Sequence, residues 1–253
     1  MKMLLIGLLA SLNVISFNIR IGTCDDGDNS WDIRKPATIA MIRVEKPDII
    51  GLQETVDFQE WYIRENCSAY EAIGDCPNSV FYRKASLKCL KWGKFWLSET
   101  PDKASQGWDG AYPRTAVWAL MCDRKSHKSF YFVNTHLDHI GVTAREKGLA
   151  LILERMAAIN KEGLPLVLCG DFNCEAGNPE LGVIRGKMDN TRLTARKTDA
   201  QTSYNGWGKA SSSIDFIFQK GFSSCRSFKT ITKEFAGKRY ISDHYPVKAQ
   251  LVF

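Results

Sequence analysis

Most apolar residues of this chain fall in short runs that are rich in β-branched and aromatic side chains, and Gly, Pro and Asp residues separate these runs. Runs of this kind predict buried β-strands. The predicted strands cover residues 12–19, 48–54, 79–82, 87–96, 115–122, 129–136, 165–169, 214–218, 225–232 and 247–253.

Helical spacing marks three other segments. In the clearest one, the apolar residues recur on one face of a helix. These residues are Leu149, Ile152, Leu153, Met156 and Ile159. Shorter helices are predicted over residues 34–46, where Pro47 ends the pattern, and over residues 57–66. Helices interleaved with this many strands indicate an α/β protein in which two sheets pack together with helices outside them.

The composition fits a globular protein. The chain has 253 residues, of which 44% are hydrophobic and 25% are charged, and these values exclude a collagen-like or disordered chain. No linker, repeat or shift in composition divides the sequence, so a single domain is predicted over residues 12–253. The longest apolar run, near residues 3–10, is far shorter than the roughly 18 residues of a membrane-spanning helix.

Residues 1–11 have the outline of a short export signal, because Lys2 is followed by an apolar stretch and then by small residues. Such signals are usually longer, about 15–30 residues. A disordered start, or one that extends the first strand, is the alternative. The sequence therefore favours an exported protein, periplasmic or secreted, over a cytoplasmic one.

The charged and thiol side chains form no motif of their own. The 34 Lys and Arg residues outnumber the 28 Asp and Glu residues, which gives a net charge of +6, but they are spread along the chain. This distribution is typical of an ordinary surface and is compatible with a phosphate-bearing substrate. The eight cysteines include no CxxC pair, which disfavours a zinc ribbon. Cys67 and Cys76 either form a disulfide in an oxidising compartment or stay free thiols.

Polar side chains of a few types stand where the predicted strands end, which is where α/β scaffolds commonly carry function. Their oxygen and imidazole groups suit Mg²⁺ or Mn²⁺ together with a phosphate. The sequence has no HExxH motif, so zinc chemistry is disfavoured. The strand-end residues are Asn18, Glu54, His136, Asp138, Asp171, Asn173, Asp215, Asp243 and His244.

Six short motifs that contain these residues resemble the endonuclease/exonuclease/phosphatase superfamily, and they occur in the order typical of it. They are SFNI at 16–19, LQET at 52–55, NTHLDH at 134–139, GDFN at 170–173, SIDFI at 213–217 and SDHYPV at 242–247. Further strings, such as WDIR at 31–34 and FWLSETP at 95–101, resemble a bacterial branch nearer the deadenylases than exonuclease III. The resemblance implies a DNase I-like four-layer α/β sandwich of two mainly antiparallel sheets flanked by helices.

The same resemblance implies a metal-dependent phosphoesterase. Glu54 matches the principal ligand of the cation, Mg²⁺ or alternatively Mn²⁺, and Asn18 and Asp243 match residues that assist it. The reaction would be an in-line attack of water on phosphorus, in which the metal neutralises developing charge.

The resemblance also assigns the catalytic groups. Asp171 matches the residue that orients and deprotonates the water, and Asn173 matches the amide that holds Asp171 and the phosphate. His244 matches a histidine that contacts the scissile phosphate, with Asp215 hydrogen-bonded to its imidazole, and His136 matches a second such histidine.

Two further residues are candidates for substrate binding. Arg114 either clamps a phosphate through its guanidinium or forms a structural ion pair, and Asp138 either contacts substrate or orients its loop. Aromatic residues nearby either line the rim or anchor core and loops, and we predict the anchoring role for them. They are Trp96, Trp108, Tyr112 and Trp207.

The substrate class stays open at this level: nucleic acid, nucleotide, sugar or inositol phosphate, and phospholipid head group are all compatible with the motifs. The alternatives to a general phosphoesterase are a catalytically silent binding module that keeps the fold and a phospholipid phosphodiesterase of the sphingomyelinase type. No obligate protein partner is apparent, and a monomer is predicted.

Overall fold

The computed structural model describes residues 10–253, in which two six-stranded sheets pack face to face. The first sheet consists of β1 (Ser11–Asn18), β2 (Ile49–Gln53), β3 (Tyr70–Ile73), β4 (Val80–Arg83), β11 (Ser224–Thr230) and β12 (Val247–Val252). The second consists of β5 (Leu87–Trp96), β6 (Thr115–Asp123), β7 (Ser129–His136), β8 (Leu166–Asp171), β9 (Asp189–Asn190) and β10 (Asp215–Lys220). The strand order is β11-β12-β1-β2-β4-β3 in the first sheet and β5-β6-β7-β8-β10-β9 in the second.

Helices cover the outer faces of the two sheets. Three of them are longer than a few residues: α1 (Trp31–Glu45), α2 (Asp57–Asn66) and α3 (Val142–Ile159). The short α4 (Thr191–Thr194) lies beside β10 and β11. This arrangement is the four-layer α/β sandwich that the sequence predicts.

Alternation along the strands divides the apolar side chains among three cores. On β1, Val14 faces the second sheet, where it joins a cluster that includes Phe132 and Val167. Its neighbour Ile15 faces outward and joins the cluster around Ile42 of α1. This two-residue period is the one a strand imposes when both its faces are buried. The third cluster lies between the second sheet and α3.

One parallel pair lies near the middle of each sheet, and all other neighbours are antiparallel. In the first sheet β1 pairs with β2, and in the second β7 pairs with β8. A parallel pair needs a crossover, and α1 and α3 supply the two crossovers. The carboxyl ends of all four strands therefore reach the same edge of the sandwich, where the candidate site lies.

Most predicted elements are present with small changes in their bounds. The helix predicted from residue 34 begins at Trp31, and the strand predicted to residue 232 ends at Thr230. The short strands β3 and β9 were not predicted. Cys67 and Cys76 are free thiols, so no disulfide joins them.

The predicted export signal falls almost entirely on residues 1–9, which lie outside the described residues, and Ser11 already belongs to β1. Within residues 10–253, no helix combines the length and the apolar character that crossing a membrane requires.

Candidate active site

The strand ends bring the predicted polar residues together from both sheets. Asn18 ends β1 and Glu54 follows β2, while His136 ends β7 and Asp171 ends β8. Asp215 begins β10 directly opposite Asp171, because β10 runs antiparallel to β8. The segment before β12, which carries Asp243 and His244, reaches the same edge because β12 runs antiparallel to β1.

Asn18 links the two sheets at the centre of the site. Its Nδ2 donates to Glu54 Oε1 at 3.0 Å and to Asp171 Oδ2 at 3.0 Å. Its Oδ1 accepts from the backbone N–H of Arg20 at 2.9 Å. Asn18 thus holds both carboxylates through its nitrogen, while its oxygen is engaged by the backbone.

Glu54 stands just outside β2 with a left-handed backbone, φ 62°. This conformation is uncommon for a side chain with a Cβ and is often found at functional sites. The second carboxylate oxygen of Glu54 accepts from the N–H of Ile21 at 2.9 Å. Each oxygen of Glu54 thus has one hydrogen-bond donor and keeps further accepting capacity.

Asp171 is buried and surrounded by groups that respond to its charge. Its Oδ1 accepts from the N–H of Asn173 at 2.9 Å. Its Oδ2 lies 3.4 Å from His136 Nε2 and 3.7 Å from His244 Nε2. Burial raises the pKa of the Asp171 carboxyl, and the charge of Asp215 adds to that rise against the opposite effect of protonated His244. A raised pKa makes a carboxylate a stronger base.

Asn173 orders the turn after β8. Its backbone is left-handed, φ 51°, a conformation that Asn tolerates better than most residues. Its Nδ2 donates to the carbonyl of Leu137 at 3.0 Å and lies 3.0 Å from His136 Nε2. Asn173 therefore joins the end of β8 to the end of β7.

Gly170 allows β7 and β8 to approach each other beside Asp171. A Cβ at this position would lie 2.0 Å from the carbonyl oxygen of Thr135. Any other residue here would push the strands apart and move Asp171 relative to His136. This glycine is therefore required by the site geometry.

His244 and Asp215 form a buried ion pair, with Nδ1 and Oδ2 separated by 2.8 Å. Burial alone would lower the pKa of His244, but the carboxylates of Asp215 and Asp171 outweigh it and raise this pKa. His244 is therefore protonated at neutral pH and presents a positive charge beside Asp171. The Tyr204 ring packs against the imidazole at a tilt of 57°, with ring centroids 5.0 Å apart.

His136 has the opposite electrostatic character. Burial lowers its pKa well below the usual value, and the positive charges of Arg114 and His244 add to this effect. Its Nδ1 is buried and has no hydrogen-bond partner within the described residues. His136 is therefore neutral.

Glu54 and Asp243 are the residues that fit a divalent cation best. Burial raises the pKa of the Asp243 carboxyl, and the charge of Glu54 raises it further against the effect of His244. The nearest cationic group, the Arg20 guanidinium, lies 3.8 Å from Asp243 and is closer to Asp26, at 3.0 Å. A hard cation bound by these oxygens would offset the repulsion between the two carboxylates.

Another group, Asp171, Asp215 and His244, has ligand atoms that lie within 4.8 Å of one another. This group fits a cation poorly, because His244 is protonated and its Nδ1 is already bonded to Asp215. A metal ligand must offer a free lone pair, and an imidazolium has none. These three residues are better suited to proton transfer and to binding a phosphate.

Asp138 does not face the cleft as a free carboxylate. It is buried, and both oxygens accept backbone N–H groups, from Ile140 and Gly141 on one side and from Tyr112 on the other. These bonds outweigh the effect of burial and lower its pKa. Arg114 lies 3.4 Å from the same carboxylate. The structure thus gives Asp138 the loop-orienting role, and it leaves Arg114 partly exposed beside the site.

Arg34 is a residue whose role the sequence does not suggest, although it lies in the WDIR string. Its side chain is only 1% exposed and donates to the backbone carbonyls of Ile19, Arg20, Asn29 and Ile241. It lies between the rings of Trp31 and Trp207, 5.0 and 5.9 Å from their centroids. Arg34 therefore fixes the two chain segments that bring Ile21 and Asp243 to the site.

Comparison with known proteins identifies the group to which this architecture belongs. The model of the Endonuclease/Exonuclease/phosphatase family matches residues 15–244. The chain belongs to the endonuclease/exonuclease/phosphatase family. The resemblance seen in the motifs is therefore confirmed, and the protein is a phosphoesterase.

The proteins similar to this chain differ in how much of their own length the match covers. The structure of a mannosyl-6-phosphatase from Bacteroides thetaiotaomicron is 29% identical, with a TM-score of 0.91, and the match covers 96% of this chain and 100% of that one. A protein of Acanthamoeba polyphaga mimivirus, L388, is 26% identical over 86% of this chain and 90% of its own length. Nocturnin from Drosophila melanogaster is 26% identical over 70% of this chain but only 29% of its own length.

Proposed function

We propose that this phosphoesterase uses Mg²⁺, or Mn²⁺ in its place, to hydrolyse phosphate monoesters of sugars through in-line attack by water. The observation that carries the proposal is the setting of Asp171. This one buried carboxylate lies within 4 Å of two histidines, of the side-chain amide of Asn18 and of the backbone N–H of Asn173. A phosphoryl group attacked by water needs a proton acceptor and nearby hydrogen-bond donors, and these groups supply both.

Each residue around this point has a distinct part in the proposed reaction. Asp171 accepts a proton from the attacking water while the water oxygen forms its bond to phosphorus. The P–O bond to the sugar breaks, and the sugar oxygen leaves with its electron pair and takes up a proton from solvent. The Asn18 side chain and the backbone N–H of Asn173 hold the carboxylate in position. The positive charge of His244, maintained by Asp215, stabilises the negative charge that develops on the phosphate oxygens.

The cation belongs on the first-sheet side of the cleft. Glu54 and Asp243 would hold it, and Asn18 keeps Glu54 oriented by donating to its Oε1. When bound, the cation supplies neutralisation of charge on the phosphate oxygens. The protein residues then have to place the phosphate, activate the water and exclude other geometries.

Two observations support a sugar monoester as substrate. The Bacteroides thetaiotaomicron relative whose structure is similar over the whole chain is a mannosyl-6-phosphatase. In addition, Arg114 stands partly exposed beside His136 and adds a positive charge on the second-sheet side. A monoester carries more negative charge on its terminal phosphate than a diester does, so a further guanidinium favours the monoester.

A substrate panel tests the proposal. The wild-type protein is assayed with Mg²⁺, with Mn²⁺ or with EDTA, and each substrate is supplied at about 1 mM, the upper end of typical KM values. The substrates are hexose 6-phosphates, glycerol phosphate, nucleoside monophosphates, inositol phosphates, sphingomyelin and single-stranded RNA and DNA. We expect release of inorganic phosphate from hexose 6-phosphates, supported by either cation and abolished by EDTA. Full activity of the metal-free protein in EDTA would contradict the cation, and turnover of only RNA or DNA would contradict the substrate class.

A further inference from the structure

Tyr112 is an exposed aromatic residue at the rim of the site, although aromatic residues in this segment are predicted to be anchors. Its side chain is 61% exposed. One face of its ring stacks on the imidazole of His139, with centroids 5.6 Å apart and an interplanar angle of 23°. We call this pair, Tyr112 and His139, the rim platform.

The rim platform is adjacent to the phosphate-binding groups. Arg114 connects the two, because its Nη2 lies 3.4 Å from His139 Nδ1 and its guanidinium carbon lies 5.9 Å from the centre of the Tyr112 ring. Arg114 is also near enough to His136 for its charge to lower the pKa of that imidazole. The neighbouring side chains of His136 and Arg114 therefore connect Asp171 with the exposed ring of Tyr112.

The loops that carry the platform are rigidly joined, so the exposed ring is held in place before any ligand binds. The buried carboxylate of Asp138 accepts from the N–H of Tyr112 on one loop and of Ile140 on the other. Asp109 accepts from the N–H groups of Thr143 and Ala144 in the first turn of α3. Preorganised aromatic groups bind ligands at low entropic cost.

We infer that the rim platform binds the sugar ring that leaves when the phosphate is hydrolysed, so that Tyr112 is a specificity-determining residue for cyclic over acyclic phosphomonoesters. The inference rests on the proposed function. A hexose ring has an apolar face of C–H groups, which suits the electron-rich face of tyrosine. The ring hydroxyls at its edge can bond to Arg114 and His139, which border the platform. An acyclic alcohol such as glycerol presents no such face.

The test compares cyclic and acyclic substrates in matched variants. Tyr112→Ala removes the ring, Tyr112→Phe keeps it, and Trp61→Ala removes an equally exposed aromatic side chain, 62% exposed, on α2. For Tyr112→Ala we expect KM for mannose 6-phosphate to rise about tenfold with kcat changed less than about twofold, because stacking stabilises the bound ring in ground and transition states alike. For the same variant, KM and kcat with glycerol phosphate should stay within about twofold of wild type. Tyr112→Phe and Trp61→Ala should have the wild-type KM and kcat with both substrates.

Three outcomes would overturn the inference while the proposed function stands: an unchanged KM for mannose 6-phosphate in Tyr112→Ala, an equal loss on glycerol phosphate, or a larger loss on a nucleoside monophosphate than on the hexose phosphate. Wild-type protein that hydrolyses neither mannose 6-phosphate nor glycerol phosphate would overturn both the proposed function and the inference. A circular dichroism spectrum of each variant identifies misfolded protein. If Tyr112→Ala is misfolded, Tyr112→Leu replaces it in the comparison.

Discussion

The first sheet brings Asn18, Glu54 and Asp243 to the cleft, whereas the second brings His136, Asp171 and Asp215. On the first-sheet side two carboxylates repel each other, and burial raises the pKa of Asp243. On the second-sheet side each carboxylate has an imidazole within 4 Å. Under the proposed function, this difference makes the first-sheet half the one that attracts a cation and the second-sheet half the one that moves a proton and binds phosphate.

Two of the candidate site residues cross the boundary between the two halves. Asn18 belongs to the first sheet but donates to Asp171 in the second. His244 belongs to the segment that leads into β12 of the first sheet but bonds to Asp215 in the second. Variants on each side should therefore show different kinetic signatures, and variants of the crossing groups show whether the two halves act independently.

The largest effect is expected for Asp171→Asn, which keeps the shape of the side chain but cannot accept the proton of water. We expect kcat to fall by about 10²–10⁴. The measurement is kcat at saturating metal, with the melting temperature as the check on folding. Asp189→Asn, on the surface in β9, is the matched control. Wild-type turnover by a folded Asp171→Asn protein would remove Asp171 from the mechanism.

His244→Ala should have the next largest effect, because it removes the positive charge beside the phosphate. A loss of about 10²–10³ in kcat is expected. The metal concentration for half-maximal rate should stay near that of wild type, since His244 is not a ligand. Restoration of the rate by excess Mg²⁺ would show that His244 contributes to cation binding, which contradicts the separation of roles between the two halves.

Asp215→Asn should resemble His244→Ala in a weaker form. The amide still accepts a hydrogen bond from His244 but no longer supplies the charge that raises its pKa. We expect kcat to fall roughly tenfold, the value of one weakened charge-assisted hydrogen bond. In the double variant with His244→Ala, Asp215→Asn should lower kcat little further. Additive losses would show that Asp215 acts independently of His244.

Glu54→Gln should have the smallest effect at saturating metal, because the loss is one of cation affinity. The metal concentration for half-maximal rate should rise by about tenfold or more, and excess Mg²⁺ should restore much of the rate. Calorimetric titration with Mg²⁺ gives the same comparison without substrate. Unchanged Mg²⁺ affinity in Glu54→Gln would place the cation elsewhere.

The sequence predicts the longer elements well whether or not they are buried. Strand β7, which is almost wholly buried, has the predicted bounds, and so does helix α2, of which only Gln59 and Ile63 are buried. Strand β9, by contrast, consists of Asp189 and Asn190, two polar residues with no strand preference, and it exists because the edge of β10 offers hydrogen bonds. Strand β3 has only one fully buried residue in four, so its sequence has no apolar run to detect.

The candidate residues of the site could be selected from the sequence, but their arrangement could not. The motifs indicate Asn18 and Asp171, which are 153 residues apart, while their contact depends on how the two sheets pack. The exposure of Tyr112 is equally a tertiary effect, because the buried Asp138 holds the backbone of its loop at the rim. Arg34 looks like an ordinary helix residue until its carbonyl partners are known.

The pairing of β12 with β1 sets an order of events for protein synthesis. Strand β12 lies between β11 and β1, and Ser242 just before it donates to the carbonyl of Asn18, 224 residues earlier in the chain, at 2.7 Å. A growing chain therefore carries β1 with one open edge until the residues of β12 leave the ribosome, and open edges invite aggregation. A chain cut short before Asp243 would lack Asp243 and His244, the residues that we propose to bind the cation and the phosphate. Under the proposed function, hydrolytic activity would thus begin only once the closing strand has been made.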